Sequence, residues 1–205
     1  MVTRLSPGTV PVRPTTSLVL RPRRADPLDW SCKMIVIVCG LSGSGKSSLT
    51  KNSDFLSLGF VLVRASDLLR SAGLPTTQLR ARDALLNQEY LIDKISDLAA
   101  ERAFIVLDGH LLIETIDGPQ LVPDTIVSRL PVSYILFVDT SPKEIMKRRA
   151  RENGVCVDEL SDLGELEHIH ARRLARKGRV PFGSIKDGDV VAFDLILKGL
   201  LGGSD

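Results

Sequence analysis

Long hydrophobic runs are missing from this chain. Nowhere do roughly 18 apolar residues follow one another, which excludes a membrane-spanning helix. Cysteine is scarce: the 3 residues, Cys32, Cys39 and Cys156, are odd in number, widely spaced and in no CxxC pair. That excludes a disulfide framework and a zinc site, and it fits a reducing cytosol, so a cytoplasmic location is expected. Neither charge sign dominates, with a formal net charge of +2. Residues 1–33 carry six basic residues against Asp26 and Asp29, which leaves 21 basic and 23 acidic residues for the remainder. The bulk of the chain therefore has no charge signature of a nucleic-acid binder. No internal repeat is present.

What is there is ordinary globular material: 205 residues, 43% hydrophobic and 25% charged. That length and composition predict one domain, or a core with a small insert. Five of the 11 prolines fall within residues 1–30, a stretch with no hydrophobic period. The reading for residues 1–33 is a disordered Pro/Arg-rich tail, a targeting segment or an overcalled start, because Met34 opens the first clean strand. Residues 34–205 are expected to form the domain.

Met34–Cys39 is a continuous apolar run, the mark of a strand buried on both faces. Further strands are predicted over 60–64, 104–107, 134–138 and 180–185. Helices are predicted from Lys46, over 67–72 with Ser66 as cap, from Thr77 to about Arg102, over 123–130, from Ser141-Pro142 to about Glu152, over 161–177 and over 189–201. The long helix takes its apolar stripe from Leu79, Leu85, Leu86, Ile92, Ile95 and Leu98. Residues 153–160 read as a loop. Alternating strands and helices predict a three-layer α/β/α domain on a five-stranded parallel sheet.

Between the first strand and its helix stands Gly40-Leu-Ser-Gly43-Ser-Gly45-Lys46-Ser47, a full match to G-x-x-x-x-G-K-[ST] in the required setting. Its glycines let backbone N–H groups curl around phosphate oxygens, and the following helix N-terminus adds partial positive charge. Gly40, Ser42, Gly43, Ser44, Gly45, Lys46, Ser47 and Ser48 are therefore expected to bind ATP, with Lys46 on the β- and γ-phosphates and Ser47 on Mg²⁺. Asp108 ends a buried strand, where a carboxylate needs a cation or donors, and is the second expected Mg²⁺ contact. No NKxD guanine reader begins at Asn52, Asn87 or Asn153, which argues against a GTPase. The chain is also short for a transporter ATPase or a AAA+ motor. A small phosphoryl-transfer enzyme or an orphan NTPase remains.

Ser66-Asp-Leu-Leu-Arg70-Ser-Ala72 resembles the G-D-M-L-R-A-A helix of adenylate kinases, and Leu107-Asp108-Gly109 resembles their L-D-G. Asp108-Gly-His110-Leu-Leu-Ile113 with Gly118, Pro123 and Asp124 looks like the archaeal type. So do Ser141-Pro-Lys-Glu-Ile-Met-Lys-Arg148-Arg149 and Glu167-His-Ile-His-Ala-Arg172-Arg-Leu-Ala175. The resemblance covers about residues 34–200. It departs after L-D-G, where His110, Leu111 and Leu112 stand in place of F-P-R, and at Ser66, in place of glycine. It implies a P-loop nucleoside monophosphate kinase with a short lid at about 149–172. Its site would hold an acceptor phosphate through Arg70, with Asp67 and Arg82 nearby, and neutralise the transferring group with Arg148 and Arg172.

The expected reaction is transfer of the γ-phosphoryl group of Mg·ATP to a nucleoside monophosphate or a similar small phosphorylated acceptor. Two alternatives stay open: a hydroxyl kinase using Asp67 as base, or a nucleotide-binding regulatory module. Arg70, Arg82 and the arginines of 148–151 and 172–176 each also read as exposed surface charge, and Asp67 as a helix N-terminal acid. His110 reads as a satisfied polar residue. His168 and His170 lie on different helix faces, unsuited to a metal pair.

Overall fold

The computed structural model describes residues 33–102, 104–149 and 156–202. The Pro/Arg-rich tail to residue 32, Arg151 and the 150–155 part of the expected lid lie outside the described residues.

The central strand β1 (Met34–Cys39) is buried over Ile35–Cys39, as its unbroken apolar run requires. It is flanked by β3 (Phe104–Asp108) on one side and β6 (Val132–Asp139) on the other. The edges are β2 (Val61–Arg64) and β7 (Phe182–Lys186), giving the order β2-β3-β1-β6-β7 with every pairing parallel. Side chains of β1 alternate between two cores. Ile35, Ile37 and Cys39 face one, while Val36 and Val38 face the other. The first core is closed by α3 (Ala81–Glu101) and α6 (Val157–Gly178), through residues such as Leu91, Ile95 and Leu174. The second is closed by α1 (Lys46–Asn52) and α7 (Val190–Leu200), through Leu49, Phe193 and Leu197. The three layers and the five parallel strands are those the sequence predicts. Among the described residues no helix is long and apolar enough to cross a membrane.

Several boundaries differ from expectation. The short helix α2 spans Ala65–Ser71, so Ser66 lies inside it rather than capping it. The long helix does not begin at Thr77. Gln78 takes a positive φ of 54°, which a helix cannot contain, and α3 starts only at Ala81. Its buried stripe is Ala84, Asn87, Leu91, Ile92, Ile95 and Ala99, which leaves Leu85 and Leu86 exposed and Leu79 buried ahead of the helix. A hairpin that the sequence reading omits, β4 (Leu112–Thr115) paired with β5 (Gly118–Leu121), follows β3. The next helix, α4, is the short Asp124–Ser128. The helix α5 spans Pro142–Arg148, shorter than expected, with Pro142 at its start and Ser141 Oγ accepting from Glu144 N at 3.3 Å as predicted. The start of α6 at Val157 makes a helix of what reads as loop up to residue 160.

Candidate active site

The C-terminal ends of β1, β2 and β3 open on one edge of the sheet, where open α/β folds bind ligands. The phosphate loop leaves β1 there. Gly40 turns at φ 141°, and a Cβ on it would lie 2.9 Å from both Ser44 Oγ and Val138 O, so no larger residue fits. Gly45, at φ 95°, sits directly against the Asp187 carboxylate and precedes α1.

The carbonyls of residues 40–44 are all engaged within the protein. Gly40 O accepts from Lys46 Nζ at 2.6 Å and Leu41 O accepts from it at 3.1 Å. Ser42 O accepts from Arg149 Nε at 2.8 Å, Gly43 O from Arg148 Nη1 at 3.0 Å and Ser44 O from Thr140 Oγ1 at 2.6 Å. Of the loop amides, Gly40 N is spent on Glu167 Oε1 and Ser44 N on Leu41 O; the remaining ones, together with the N–H groups of the first turn of α1 that have no partner inside the helix, are left for a ligand. This is the donor set a polyphosphate needs.

Beneath the loop lies a buried charged cluster. Lys46 is 6% exposed and Glu167 is 0% exposed. Glu167 Oε1 accepts from Gly40 N at 3.2 Å and from Leu111 N at 2.9 Å, tying α6 to the phosphate loop and to the end of β3. Burial holds the Lys46 amine below its ordinary range, opposed by the charges of Glu167 and Asp108. Burial likewise pushes the Glu167 carboxyl up, opposed by Lys46 and the amides it accepts from. Arg149, also buried, forks onto both oxygens of Glu114 at 2.9 and 2.7 Å, which links the β4–β5 hairpin to the loop.

His110 Nδ1 lies 2.8 Å from Gly40 O. A carbonyl only accepts, so Nδ1 carries the proton and Nε2 keeps a lone pair when the ring is neutral. The residue is exposed at the cleft, while the protein packed around its ring first, and the neighbouring Lys46 charge second, lower its pKa below the ordinary histidine value.

Ser47 Oγ donates to Asp108 Oδ2 at 3.5 Å. Burial raises the Asp108 carboxyl above its usual range, while Lys46 and Arg64 pull it back. A hydroxyl beside a carboxylate at the mouth of a phosphate loop is the hard-oxygen set that Mg²⁺ accepts alongside waters and phosphates, so these residues fit the ion. Among the described residues no group of three or more His, Cys, Asp and Glu forms a self-sufficient metal site.

The resulting cleft has a volume of ≈ 380 Å³. Ser42, Gly43, Gly45, Lys46, Ser47 and Ser48 form its floor, and Arg64, Ser66, Asp108, His110 and Arg148 its walls. Gly40 and Ser44 of the expected set lie beneath, with Ser44 1% exposed. Arg148 reaches the loop but is also ion-paired with Asp187. The other expected residues do not line it. Asp67 and Arg70 lie three apart on α2, exposed and paired with each other beside the cleft wall: Asp67 Oδ2 is 3.9 Å from Arg64 Nη1, and Arg70 Nη2 donates to Ser66 Oγ at 3.4 Å. Arg82 is exposed near the start of α3, and Arg172 is exposed on α6 while its neighbours Ala171 and Leu174 are buried. None of these four lines the cleft. Arg64, His110, Arg149 and Glu167 are the residues the sequence reading did not choose.

A second cavity, of ≈ 140 Å³, adjoins the cleft below α2 and α3. Ile37, Leu69, Leu91, Ile95 and Leu107 give it an apolar lining, with Thr76, Asn87 and Gln88 as polar points and no charged acid or base on its walls apart from His110. Ser66 and His110 line both spaces.

Residues 39–163 match the family model described as an AAA domain. The chain is 28% identical over 129 residues to an adenylate kinase of Pyrococcus abyssi and 29% identical over 128 residues to one of Thermococcus kodakarensis. Each alignment covers 58% of this chain and 65% of the relative, so the match spans less than two thirds of those proteins. Among solved structures the chain is similar to a shikimate kinase from Acinetobacter baumannii, with a TM-score of 0.56 and 14% identity over 84% of this chain and 94% of that one. A shikimate kinase from Aquifex aeolicus gives 0.51 and 19%, over 83% of this chain and 100% of that one. Likeness at these identities is a likeness of fold.

Proposed function

The chain belongs to the AAA domain family, and from that premise we propose that it is an ATP-dependent phosphotransferase acting on a nucleoside monophosphate or a similar small phosphorylated acceptor. The observation that carries the reading is the junction of two unlike spaces. A polar cleft built on the phosphate loop shares Ser66 and His110 with a neighbouring apolar cavity large enough to take part of a second small molecule. A nucleotide hydrolase or a simple switch has no need of the second space. The similarity to adenylate kinases over 58% of the chain supports the same reading.

In this reading the loop amides and Lys46 hold the triphosphate. Lys46 reaches it by giving up its bonds to Gly40 O and Leu41 O, which leaves the ammonium poised within the loop. Ser47 and Asp108 would hold Mg²⁺, which supplies charge neutralisation of the phosphate oxygens when bound. Arg148, at the rim over Gly43, adds positive charge from the other side. A phosphate nucleophile is already anionic and needs no strong base, in keeping with a neutral His110 at the junction. Asp67 is paired with Arg70 and lies 3.9 Å from Arg64, and it does not itself line the cleft, which disfavours the hydroxyl-kinase reading that uses it as base.

A coupled ADP-release assay across AMP, CMP, GMP, UMP and a set of hydroxylated acceptors tests the proposal. ADP release that depends on at least one monophosphate is expected. Release driven only by hydroxylated acceptors would overturn it.

A further inference from the structure

We propose that Arg64, at the end of β2, is the residue that grips the phosphate of the acceptor. The assignment rests on the kinase reading above and goes beyond it by naming the side chain that sorts acceptor from donor.

Three cations face the cleft: Lys46, Arg64 and Arg148. Lys46 has its ammonium on two loop carbonyls. Arg148 is divided between Gly43 O and the Asp187 carboxylate. Arg64 alone of the three makes no side-chain hydrogen bond among the described residues. Its guanidinium is held by charge, with Nε 3.8 Å from Asp108 Oδ2 and Nη1 3.9 Å from Asp67 Oδ2, both beyond hydrogen-bonding distance. It is therefore oriented by two carboxylates yet keeps its forked donors for a ligand.

Position identifies that ligand. Parallel pairing of β2 with β3 sets Arg64 directly beside Asp108, across from the hydroxyl of Ser47. Two residues further along, Ser66 lines both the cleft and the apolar cavity. A molecule with its uncharged body among Leu69, Leu91 and Leu107 would present its phosphate at this junction. Arg64 is the only arginine among the described residues that lines the cleft on that side, since Arg148 stands over the loop. A phosphate monoester offers two or three equatorial oxygens to a planar fork, which matches the free donors. Arg70 does not line the cleft: its Nη2 is shared between Asp67 and Ser66 Oγ, at 3.4 Å from the latter, and its side chain is 58% exposed against 37% for Arg64.

The test compares Arg64→Ala, Arg64→Lys and Arg70→Ala in the full chain, with the best monophosphate of the AMP, CMP, GMP and UMP panel as acceptor. For Arg64→Ala the acceptor kcat/KM should fall about 10- to 100-fold, mostly through KM, as expected for loss of a charge-assisted bidentate contact. The Kd for Mg·ATP, read by calorimetry, should change by less than about threefold, because the loop amides and Lys46 hold the donor. Arg64→Lys keeps the charge without the fork, so it should regain part of the loss; it also guards against an alanine variant that fails to fold. Wild-type acceptor KM in Arg64→Ala, a fall confined to Arg70→Ala, or parallel weakening of Mg·ATP would overturn the assignment and leave the kinase reading standing. No transfer to any monophosphate by the wild-type protein would overturn both.

Discussion

Replacing Glu167 probes the join between α6 and the phosphate loop. The side chain is fully buried, and its Oε1 accepts from Gly40 N and Leu111 N. Glu167→Ala removes both bonds, strands two backbone donors in the interior and leaves the charge of Lys46 without its buried counterpart. A stranded donor costs roughly 1–3 kcal/mol, and the carboxylate's own desolvation penalty is relieved on removal, so a net loss of about 3 kcal/mol follows. For a domain of this size that corresponds to a fall in Tm of about 6–12 °C. Glu167→Gln keeps an oxygen that can accept both bonds, and should recover at least half of the loss. Urea unfolding followed by far-UV circular dichroism measures the stability, and calorimetry measures Mg·ATP binding. The alanine variant should also bind nucleotide more weakly, because Gly40 is no longer pinned. An alanine variant within about 1 kcal/mol of wild type would refute the idea that this carboxylate braces the loop.

Two further outcomes follow from the same geometry. Mg·ATP at about 100-fold excess over its Kd should stabilise the fold by about 2.7 kcal/mol, and this protection should vanish in Lys46→Ala; thermal melting with and without nucleotide decides it. His170 donates Nε2–H to Val122 O at 2.8 Å, while Nδ1 is buried with no partner, and burial lowers its pKa. The unfolded chain then takes up a proton near pH 6.5 that the native protein refuses, so this stability is complete above that pH and is lost as pH falls below it toward the folded value. Urea midpoints at pH 7 and pH 5 should therefore differ more for wild type than for His170→Gln; equal slopes would refute the assignment.

The parts of this molecule that announced themselves in sequence are those set by local chemistry. An unbroken apolar run marked β1, the glycine pattern marked the phosphate loop, and Ser141-Pro142 marked the start of α5. Asp108 was legible because a carboxylate closing a buried strand demands a partner. The residues that were not legible are those whose role depends on distant chain. Glu167 meets Gly40 127 residues away, and Arg149 meets Glu114 35 residues away. Arg70 carries a sequence signal through its resemblance to a nucleotide-kinase helix, but Asp67 sits three positions before it, and such i,i+3 neighbours meet on one helix face. Arg64 carries none, because its value comes from the register that sets β2 beside β3. The β4–β5 hairpin did leave a signal, the Asp117-Gly118 pair with Gly118 at φ 105°, flanked by short apolar stretches. Pro119 within the second strand masks it, tolerable there because the sheet has only two strands.

The central claim is that the cleft and the apolar cavity serve two substrates of one transfer. The most direct measurement supplies ATP labelled in its γ-phosphoryl group, with Mg²⁺ and each nucleoside monophosphate in turn, and resolves the products by chromatography. The account predicts label in the nucleoside diphosphate made from at least one monophosphate, with the yield abolished in Lys46→Ala. Label found only in inorganic phosphate, or remaining wholly in ATP that the protein nevertheless binds, would contradict it.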